Sequence, residues 1–436
     1  MDIFQEAVLE IQKAASLANI DKKIIDRLSK GGEVIPLEFE AFTYSGMEAF
    51  EGVSVQQLNP YEQGGPNPNK GGIRFAEYPT ADAMTVVTKR LSLDMEEKNG
   101  LTGLPFGGAK TCVNINPAKR KPEELVSVAR ELTIEMLRKN ILDANIYVPG
   151  PDFGTNEAIM KTIYLRHARL NSFLHRPNPA AVVTGKPLWL HGCPGREDAT
   201  ARGGLIVLGK LIKFKKQAKF AVQGFGNVGK NCCKLLTDEN FEEAGGQIIA
   251  VSEEFSGIYN PKGLNYADLQ DYFDKYKTFN GCSLGENIKP ETITEIECDV
   301  LISAAKESLI DENVVKSGKF GILLELGNAA TTAGANRILE EREKTERRIT
   351  VIPDILANPG GVIVSYFEWR KNRGDVAHEV DFAKDLNWVH AELREILEDS
   401  VRRALEAKKT YNVSMRTASH IVALKRIEKK IKQKIG

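Results

Sequence analysis

Three lysines in the first half of the chain lie beside glycines and are candidates for binding a small anion. Lys70 begins the segment KGGIRF, Lys98 precedes NGLTGLPFGG, and Lys110 ends GLPFGGAK. Glycine pairs can leave the backbone open to a close approach by a ligand, and an ammonium beside them suits a carboxylate. Any one of these lysines taken alone is more simply a surface residue near a flexible turn.

Asp152 is a candidate for proton transfer. It follows a rigid Pro149-Gly150-Pro151 corner in YVPGPDFGTNE, at the end of a predicted strand. A carboxylate at such a corner either caps the turn or exchanges protons with a neighbouring group. The local residues leave both alternatives open.

A glycine pattern in the second half predicts nucleotide binding. Residues 219–229 read KFAVQGFGNVG, a β-type run that leads directly into Gly224-x-Gly226-x-x-Gly229. Gly224 would allow the tight turn, Gly226 would leave room for a pyrophosphate, and Gly229 would let the next helix pack closely. The anion would then lie at the N-terminus of that helix, which is predicted from Asn227 to about Leu236. We therefore expect a dinucleotide site rather than a glycine-rich turn without a ligand.

Glu253, at the end of the next apolar run, could accept hydrogen bonds from ribose hydroxyls. A carboxylate repels a 2′-phosphate, and no Arg or Lys follows Glu253 until Lys262. This favours NAD as the cofactor. NADP remains an alternative if the Lys213 to Lys219 segment reaches the ribose.

Composition excludes several functional classes. The 436 residues suit two or perhaps three domains, and Lys plus Arg equal Asp plus Glu at 59 each. The balance offers no electrostatic basis for binding nucleic acid or a membrane surface, and we find no apolar run near the length of a membrane span. The six cysteines form no CxxC pair and the six histidines no HExxH spacing, so we expect no metal site and a cytoplasmic protein.

The hydrophobic pattern predicts an α/β protein with an α+β first part and alternating strands and helices from residue 219, which is typical of a doubly wound parallel sheet. Helices are predicted near 3–18, 81–98, 122–139, 155–170 and 199–214, with three more after residue 361. Strands are predicted near 33–42, 110–115, 145–149, 219–223, 247–252, 299–303, 320–325 and 349–353.

Ten segments resemble, in order, the amino-acid dehydrogenase family that acts on glutamate, leucine, phenylalanine and valine. The resemblance implies an N-terminal α+β substrate-binding and oligomerisation domain, residues 1–190, to which residues 400–436 return. It implies a Rossmann-type dinucleotide-binding domain over 191–399. The segments are KGGIRF, GLPFGGAK, VPGPDFGTNE, VTGKP, GREDATARGG, VQGFGNVG, AVSEE, CDVLISAA, IPDILANPGGVIVSYFEW and the closing YNVSMRTA.

The resemblance also implies roles for single residues. Lys110 and Asp152 match the catalytic lysine and the acidic proton-transfer residue, and Lys98 matches the lysine that binds the substrate α-carboxylate. Lys70 and Ser365 match the pair that binds the distal carboxylate of glutamate. Further substrate-pocket residues are Gly72, Gly150 and Val362. The implied cofactor-binding residues are Arg196, Thr200, Gly224, Gly226, Asn227, Val228, Gly229, Glu253, Ala304 and Asn328.

The function implied is reversible NAD(P)-dependent conversion of L-glutamate to 2-oxoglutarate and ammonia by a homohexamer. Crowding of Lys70, Lys98 and Lys110, together with desolvation in a cleft, should lower a lysine pKa. Two alternatives are a dehydrogenase of another L-amino acid and a poorly catalytic regulatory subunit. The chain departs from the family pattern at Gly150, Ala201 and Leu326.

Overall fold

The computed structural model describes residues 2–57, 68–174, 179–212, 217–343, 345, 348–374 and 385–435. The chain divides into two compact units. The first unit comprises residues 1–196, 362–392 and 420–436, and the second comprises residues 197–361 and 393–419. The first unit is therefore formed by three separate segments of the chain and the second unit by two.

The first unit is an α+β domain in which helices cover a five-stranded sheet. Its helices are α1 (Ile3–Ala18), α2 (Lys22–Ser29), α3 (Ala81–Thr102), α4 (Pro122–Arg138) and α5 (Glu157–Leu174). Its strands are β1 (Glu33–Thr43), β2 (Gly46–Gln56), β3 (Asn69–Ala76), β4 (Gly107–Asn114) and β5 (Tyr147–Pro151).

The strand order in this sheet is β1-β2-β4-β3-β5. Strands β1 and β2 form a long antiparallel hairpin, and its turn requires the positive φ of 111° at Gly46. Strand β3 lies parallel to both β4 and β5, so the carboxyl ends of these three strands lie at the same edge of the sheet. The core beneath the sheet includes Leu37, Phe75, Leu132 and Tyr147, all without exposed surface.

The second unit is built around a seven-stranded sheet with the order β12-β11-β10-β6-β7-β8-β9. Its strands are β6 (Lys219–Gln223), β7 (Gln247–Ser252), β8 (Gly257–Tyr259), β9 (Glu286–Ile288), β10 (Cys298–Ser303), β11 (Phe320–Glu325) and β12 (Thr350–Ile352). Its helices are α6 (Ala199–Leu211), α7 (Asn227–Leu236), α8 (Tyr266–Tyr276), α9 (Glu312–Ser317), α10 (Ala333–Arg342) and α11 (Asp354–Ala357).

The five strands β12, β11, β10, β6 and β7 are parallel, as the alternating pattern predicts. Strands β7 to β9 lie on one side of β6 and strands β10 to β12 on the other, so the strand order reverses between β6 and β10. Ligands of doubly wound sheets bind at the carboxyl ends of the strands at such a point.

Three long helices close the chain: α12 (Gly360–Arg373), α13 (Leu386–Tyr411) and α14 (Met415–Ile435). The last one returns to the first unit, which confirms the predicted packing of C-terminal helices on the N-terminal domain. There Lys430 donates to the carbonyl of Leu104 at 2.6 Å, and Glu428 accepts from the backbone N–H of Asp21 at 3.0 Å.

In the second unit, Arg416 ties the α13–α14 segment to the sheet. Its guanidinium binds both carboxylate oxygens of Glu325, at 2.6 and 2.7 Å, and Asp354 at 3.2 Å. Glu325 has no exposed surface, so this pair neutralises a carboxylate that would otherwise be buried alone.

The predicted α/β class is confirmed. The sequence pattern missed α2, β2 and β3 in the first unit and β8 and β9 in the second unit. No helix among the described residues is long and apolar enough to cross a membrane. All six cysteines are buried and free.

Candidate active site

Lys110 and Asp152 lie in direct contact within the first unit. The Lys110 ammonium is 2.8 Å from Asp152 Oδ2, and Arg74 Nε donates to the same oxygen at 2.9 Å. Lys110 lies on β4, and Asp152 directly follows β5. Because β3 lies between these two strands, its residue Arg74 lies beside both Lys110 and Asp152. Burial alone would raise the pKa of Asp152, but Lys110 and Arg74 hold that pKa well below its usual range. Asp152 is therefore an oriented carboxylate anion.

The glycines beside these residues serve the packing of the chain itself. A Cβ at Gly71 would lie 1.6 Å from the carbonyl oxygen of Ala109, and one at Gly72 would lie 2.7 Å from the Cβ of Asp152. A Cβ at Gly108 would lie 2.3 Å from the carbonyl oxygen of Ser92. The expectation that the glycine pairs expose backbone to a ligand is wrong at Gly71 and Gly108. Gly72 instead lets Asp152 approach β3.

Lys98 lies buried directly before the last turn of α3. This turn is fixed to the start of β4, because Asn99 Nδ2 donates to the carbonyl of Gly107 at 2.9 Å. One turn earlier, Glu96 accepts from the backbone N–H of Gly108 at 2.5 Å. The helix end and the strand that carries Lys110 thus form one rigid corner.

Lys70 is almost fully buried on β3, with 2% of its surface exposed. A Cβ at Gly150 would lie 3.1 Å from both Lys70 Nζ and Thr184 Oγ1, so these two polar atoms lie within about 6 Å of each other. Glycine at position 150 leaves them room. Burial lowers the pKa of Lys70 to about 7, the positive charge of Arg196 adds to this effect, and Glu368 opposes it.

Ser365 and Arg196 complete the group that we call the distal cluster, consisting of Lys70, Thr184, Arg196 and Ser365. Arg196 Nε donates to Ser365 Oγ at 3.3 Å, and Ser365 is buried on α12. Val362 lies one turn before Ser365 and is half-buried. Arg196, which the resemblance assigns to the cofactor, thus contacts a residue expected to bind the substrate.

Sequence reasoning did not single out the ion pair of Lys186 and Glu368. Lys186 Nζ is 2.6 Å from Glu368 Oε1, and neither side chain is exposed. The VTGKP and VSYFEW segments contain these two residues, but no local pattern links positions 182 residues apart.

In the second unit, the glycine motif has the geometry of an anion site. Gly224 has a φ of 97°, and a Cβ at Gly229 would lie 1.8 Å from the Gly224 carbonyl oxygen. No atom lies within 4 Å of a Cβ placed on Gly226. Gly226 is the N-cap of α7, no side chain caps that N-terminus, and Asn227 and Val228 follow in the first turn. An open, uncapped helix N-terminus fits a phosphate.

Two further expected cofactor residues, Ala304 and Asn328, follow the carboxyl ends of β10 and β11. Ala304 follows β10 and donates its N–H to the carbonyl of Gln223 at 2.8 Å, and the amide of Asn358 donates to Asn328 Oδ1 at 3.0 Å. Thr200 lies in the first turn of α6. These positions agree with a nucleotide crevice outside the carboxyl ends of the strands.

Glu253 follows β7 and is oriented by its own loop. Its Oε1 accepts from Ser256 at 2.5 Å and from Thr278 at 2.9 Å, whereas its Oε2 accepts one bond, from the N–H of Phe255 at 2.8 Å. A carboxylate oxygen has two lone pairs, so Oε2 retains an acceptor site for a hydroxyl.

Leu326, a departure from the family pattern, is accommodated by glycine. A Cβ at Gly204 would lie 2.3 Å from the side chain of Leu326, which is buried. Residues 213–216 of the lysine segment considered for NADP lie outside the described residues. Among the residues that the structure describes, no group of three or more His, Cys, Asp or Glu could hold a metal ion.

Two family models together match most of the chain. One is described as glutamate/leucine/phenylalanine/valine dehydrogenase and matches residues 192–434. The other is described as the dimerisation domain of the same dehydrogenases and matches residues 34–168. The first model alone covers more than half of the 436 residues.

The proteins to which the chain is similar include glutamate dehydrogenases. The chain is 34% identical to a glutamate dehydrogenase of Thermotoga maritima over 430 residues, covering 98% of this chain and 96% of that protein. It is 33% identical to an NAD-specific glutamate dehydrogenase of Staphylococcus aureus, covering 82% and 81% of the two chains. A solved glutamate dehydrogenase of Peptoniphilus asaccharolyticus superimposes with a TM-score of 0.76 at 27% identity over 99% of both chains.

The fold is also shared with a hetero-hexameric glutamate dehydrogenase of Thermus thermophilus. That structure superimposes with a TM-score of 0.84 at 24% identity and covers 98% of this chain and 96% of its own.

Proposed function

Because the chain belongs to the glutamate/leucine/phenylalanine/valine dehydrogenase family, we propose that it is an NAD-dependent glutamate dehydrogenase. It catalyses the reversible oxidative deamination of L-glutamate to 2-oxoglutarate and ammonia. The observation that carries the choice of substrate is the distal cluster, where a buried lysine lies in a group with an arginine and two hydroxyls.

A buried, positively charged cluster suits a carboxylate and opposes an alkyl chain. Lys70 loses its hydration on burial, and its ammonium regains a partner only when an anion binds. A leucine or phenylalanine side chain would leave that ammonium unpaired, so a dehydrogenase of another L-amino acid is not favoured. Ser365 would donate to the same carboxylate, and Arg196 would orient Ser365. Gly72, Gly150 and Val362 would shape the pocket around it.

Lys110 and Asp152 would carry out the proton transfers. Deamination requires a proton to leave the attacking water and another to reach the departing ammonia. The 2.8 Å contact places Lys110 and Asp152 within the reach needed to exchange a proton, and Arg74 orients Asp152. Lys98 would bind the α-carboxylate. A poorly catalytic subunit would have no need for this intact pair, so that alternative is not favoured either.

The second unit would bind NAD. The open space at Gly226, the close packing at Gly229 and the uncapped start of α7 fit a pyrophosphate. The free acceptor site on Glu253 fits a ribose hydroxyl and opposes a 2′-phosphate, which favours NAD over NADP. When bound, NAD supplies the acceptor for the hydride that leaves the α-carbon. Thr200, Asn227, Val228, Ala304 and Asn328 would line the same crevice.

We extend the proposal to the domains and the assembly. The first unit would bind substrate and form the oligomer, and the second would bind the nucleotide. Strand β1 lies at the edge of its sheet, and Phe42, Tyr44 and Met47 at the hairpin turn are more than half exposed. Such a surface favours self-association, and we propose a cytoplasmic homohexamer in which the six free cysteines stay reduced.

The test is to follow NADH and NADPH formation with a panel of L-amino acids. Glutamate with NAD is expected to give the highest kcat/KM. Faster turnover of leucine or phenylalanine than of glutamate would contradict the proposal, and so would a clear preference for NADP. Light scattering in the same buffer would measure the oligomeric state.

A further inference from the structure

Glu368 is a fully buried carboxylate on α12, one helical turn beyond Ser365, and it is held by several donors. Its Oε2 accepts from the N–H of Gly185 at 2.8 Å. Its Oε1 accepts from the N–H of Lys186 at 3.3 Å and from Lys186 Nζ at 2.6 Å. Lys186 Nζ also donates to the carbonyl of Val183 at 2.5 Å. Charge-assisted bonds of this kind fix both the carboxylate and the loop that surrounds it.

These bonds join the two chain segments that reach the distal cluster. One segment carries Thr184, the residue before Gly185, and Thr184 Oγ1 lies beside Lys70 at the open face of Gly150. The other segment is α12, where Ser365 and Glu368 are three residues apart and so lie on one side of the helix. A change at Glu368 would therefore alter the positions of both hydroxyls relative to Lys70.

The negative charge of Glu368 also affects the protonation of Lys70. Burial, Arg196, Lys110 and Lys186 all lower the pKa of Lys70, whereas Glu368 raises it. Glu368 also raises the pKa values of Arg196 and Lys186, against the effect of burial. In the substrate-free protein, Glu368 thus supplies part of the negative charge that a substrate carboxylate would later provide.

We propose that Glu368 is a positioning residue for the distal carboxylate of the substrate, an inference that rests on the proposed glutamate dehydrogenase activity. Its hydrogen bonds hold Thr184 and Ser365 around Lys70. Its negative charge keeps a larger fraction of Lys70 in the ammonium form that binds a carboxylate. It acts through these three residues and does not itself contact the substrate.

The proposal predicts a specific pH dependence. With a pKa of about 7 for Lys70, roughly one tenth of this side chain is an ammonium at pH 8. Removing the charge of Glu368 lowers that pKa further, and a decrease of about one unit reduces the ammonium fraction about tenfold at pH 8. The KM for glutamate should then begin to rise near pH 6 instead of near pH 7, and it should be about tenfold higher at pH 8.

Three variants test this in the full-length enzyme. Glu368→Gln removes the charge and keeps the shape, and Glu368→Asp keeps the charge on a shorter side chain. Lys186→Met combined with Glu368→Gln removes both charges, so that no ion is left buried alone. The KM and kcat of each variant are measured from pH 6 to pH 9 with L-glutamate and with L-norvaline, a five-carbon amino acid without the distal carboxylate.

We expect Glu368→Gln to shift the glutamate KM profile to lower pH, with kcat changing less than KM. Glu368→Asp should keep the midpoint near that of the wild type while raising KM at every pH. The double variant should shift in the same direction but less, because it also removes Lys186, which lowers the pKa of Lys70 less than Glu368 raises it. Norvaline should show no such shift. A wild-type midpoint in Glu368→Gln would overturn the inference, and so would an equal shift with norvaline.

The inference can still be tested if Glu368→Gln fails to fold. In that case the double variant and Glu368→Asp decide between the outcomes, because the double variant leaves no unpaired ion and Glu368→Asp retains the charge. A wild-type KM for glutamate at every pH in both of these variants would then overturn the inference. Failure of the wild type to oxidise glutamate with NAD would instead refute the proposed function itself. The two failures are therefore distinct.

Discussion

Replacing Lys70 with leucine should increase stability while it abolishes the preference for glutamate. The pKa of Lys70 is 10.5 in its ordinary state and about 7 in the folded protein. Between these two values the unfolded chain binds more protons than the folded one, so this lysine makes stability rise with pH across that window. The burial of Lys70 lowers the free energy of unfolding by about 3 kcal/mol at pH 8 and by about 1 kcal/mol near pH 10.

The Lys70→Leu variant removes this cost and its pH dependence. Thermal unfolding of the wild type and the variant is measured at pH 8 and at pH 10. The variant should be more stable than the wild type at pH 8, and this difference in the free energy of unfolding should be about 2 kcal/mol smaller at pH 10. An advantage that does not change with pH would refute the assignment of a lowered pKa to Lys70. Lys119→Leu is the matched control, since the Lys119 side chain is 70% exposed and should give no pH-dependent gain.

The same variant tests substrate choice. Loss of the buried ammonium should cost about 2–4 kcal/mol in binding the distal carboxylate, which lowers kcat/KM for glutamate about 30- to 1000-fold. Norvaline ends in a methyl group, so its kcat/KM should stay constant or rise in the apolar pocket. Measuring NADH formation with both substrates checks this. An equal loss for glutamate and norvaline would refute the role of Lys70 in specificity.

Three further substitutions test other parts of the protein. Lys110→Ala should lower kcat about 10²- to 10⁴-fold while NADH binding, followed by fluorescence, is retained. Gly229→Val should abolish nucleotide binding and disturb the fold of the second unit, because its Cβ would lie 1.8 Å from the Gly224 carbonyl oxygen; circular dichroism and NADH titration measure both effects. Arg416→Leu leaves Glu325 buried without its cation and should lower the free energy of unfolding by about 3–5 kcal/mol.

Each of these substitutions has a matched control. Lys119→Ala removes an exposed lysine and should leave kcat unchanged. Gly226→Ala should fold normally, since its Cβ meets no atom within 4 Å, and it should weaken nucleotide binding alone. Arg402→Leu removes an exposed arginine and should change stability by less than about 1 kcal/mol. Matching effects in a variant and its control would contradict the corresponding prediction.

The strand and the helix on either side of the glycine motif could be predicted from the sequence. The strand at 219–223 and the helix from Asn227 to Leu236 were expected at the bounds that the structure has. The reason is that a strand, a glycine turn and a helix follow one another locally, so short-range preferences determine them.

Strand β3 was missed because its sequence, NKGGIRFA, contains two glycines and has a weak strand propensity of its own. It becomes a strand because β4 and β5 pair with it on both sides. The glycines that suggested an accessible turn are instead required where backbone and side chains of neighbouring strands approach.

The sequence by itself determined which residue types are present for the chemistry: lysines beside glycines, an aspartate after a rigid corner, and a strand–glycine–helix motif. Only the tertiary structure decided that Lys110 and Arg74 share one oxygen of Asp152, and that Glu368 neutralises Lys186 across 182 residues. Charge pairing and desolvation depend on distances through space, and those distances arise only when strands and helices distant in the chain pack together.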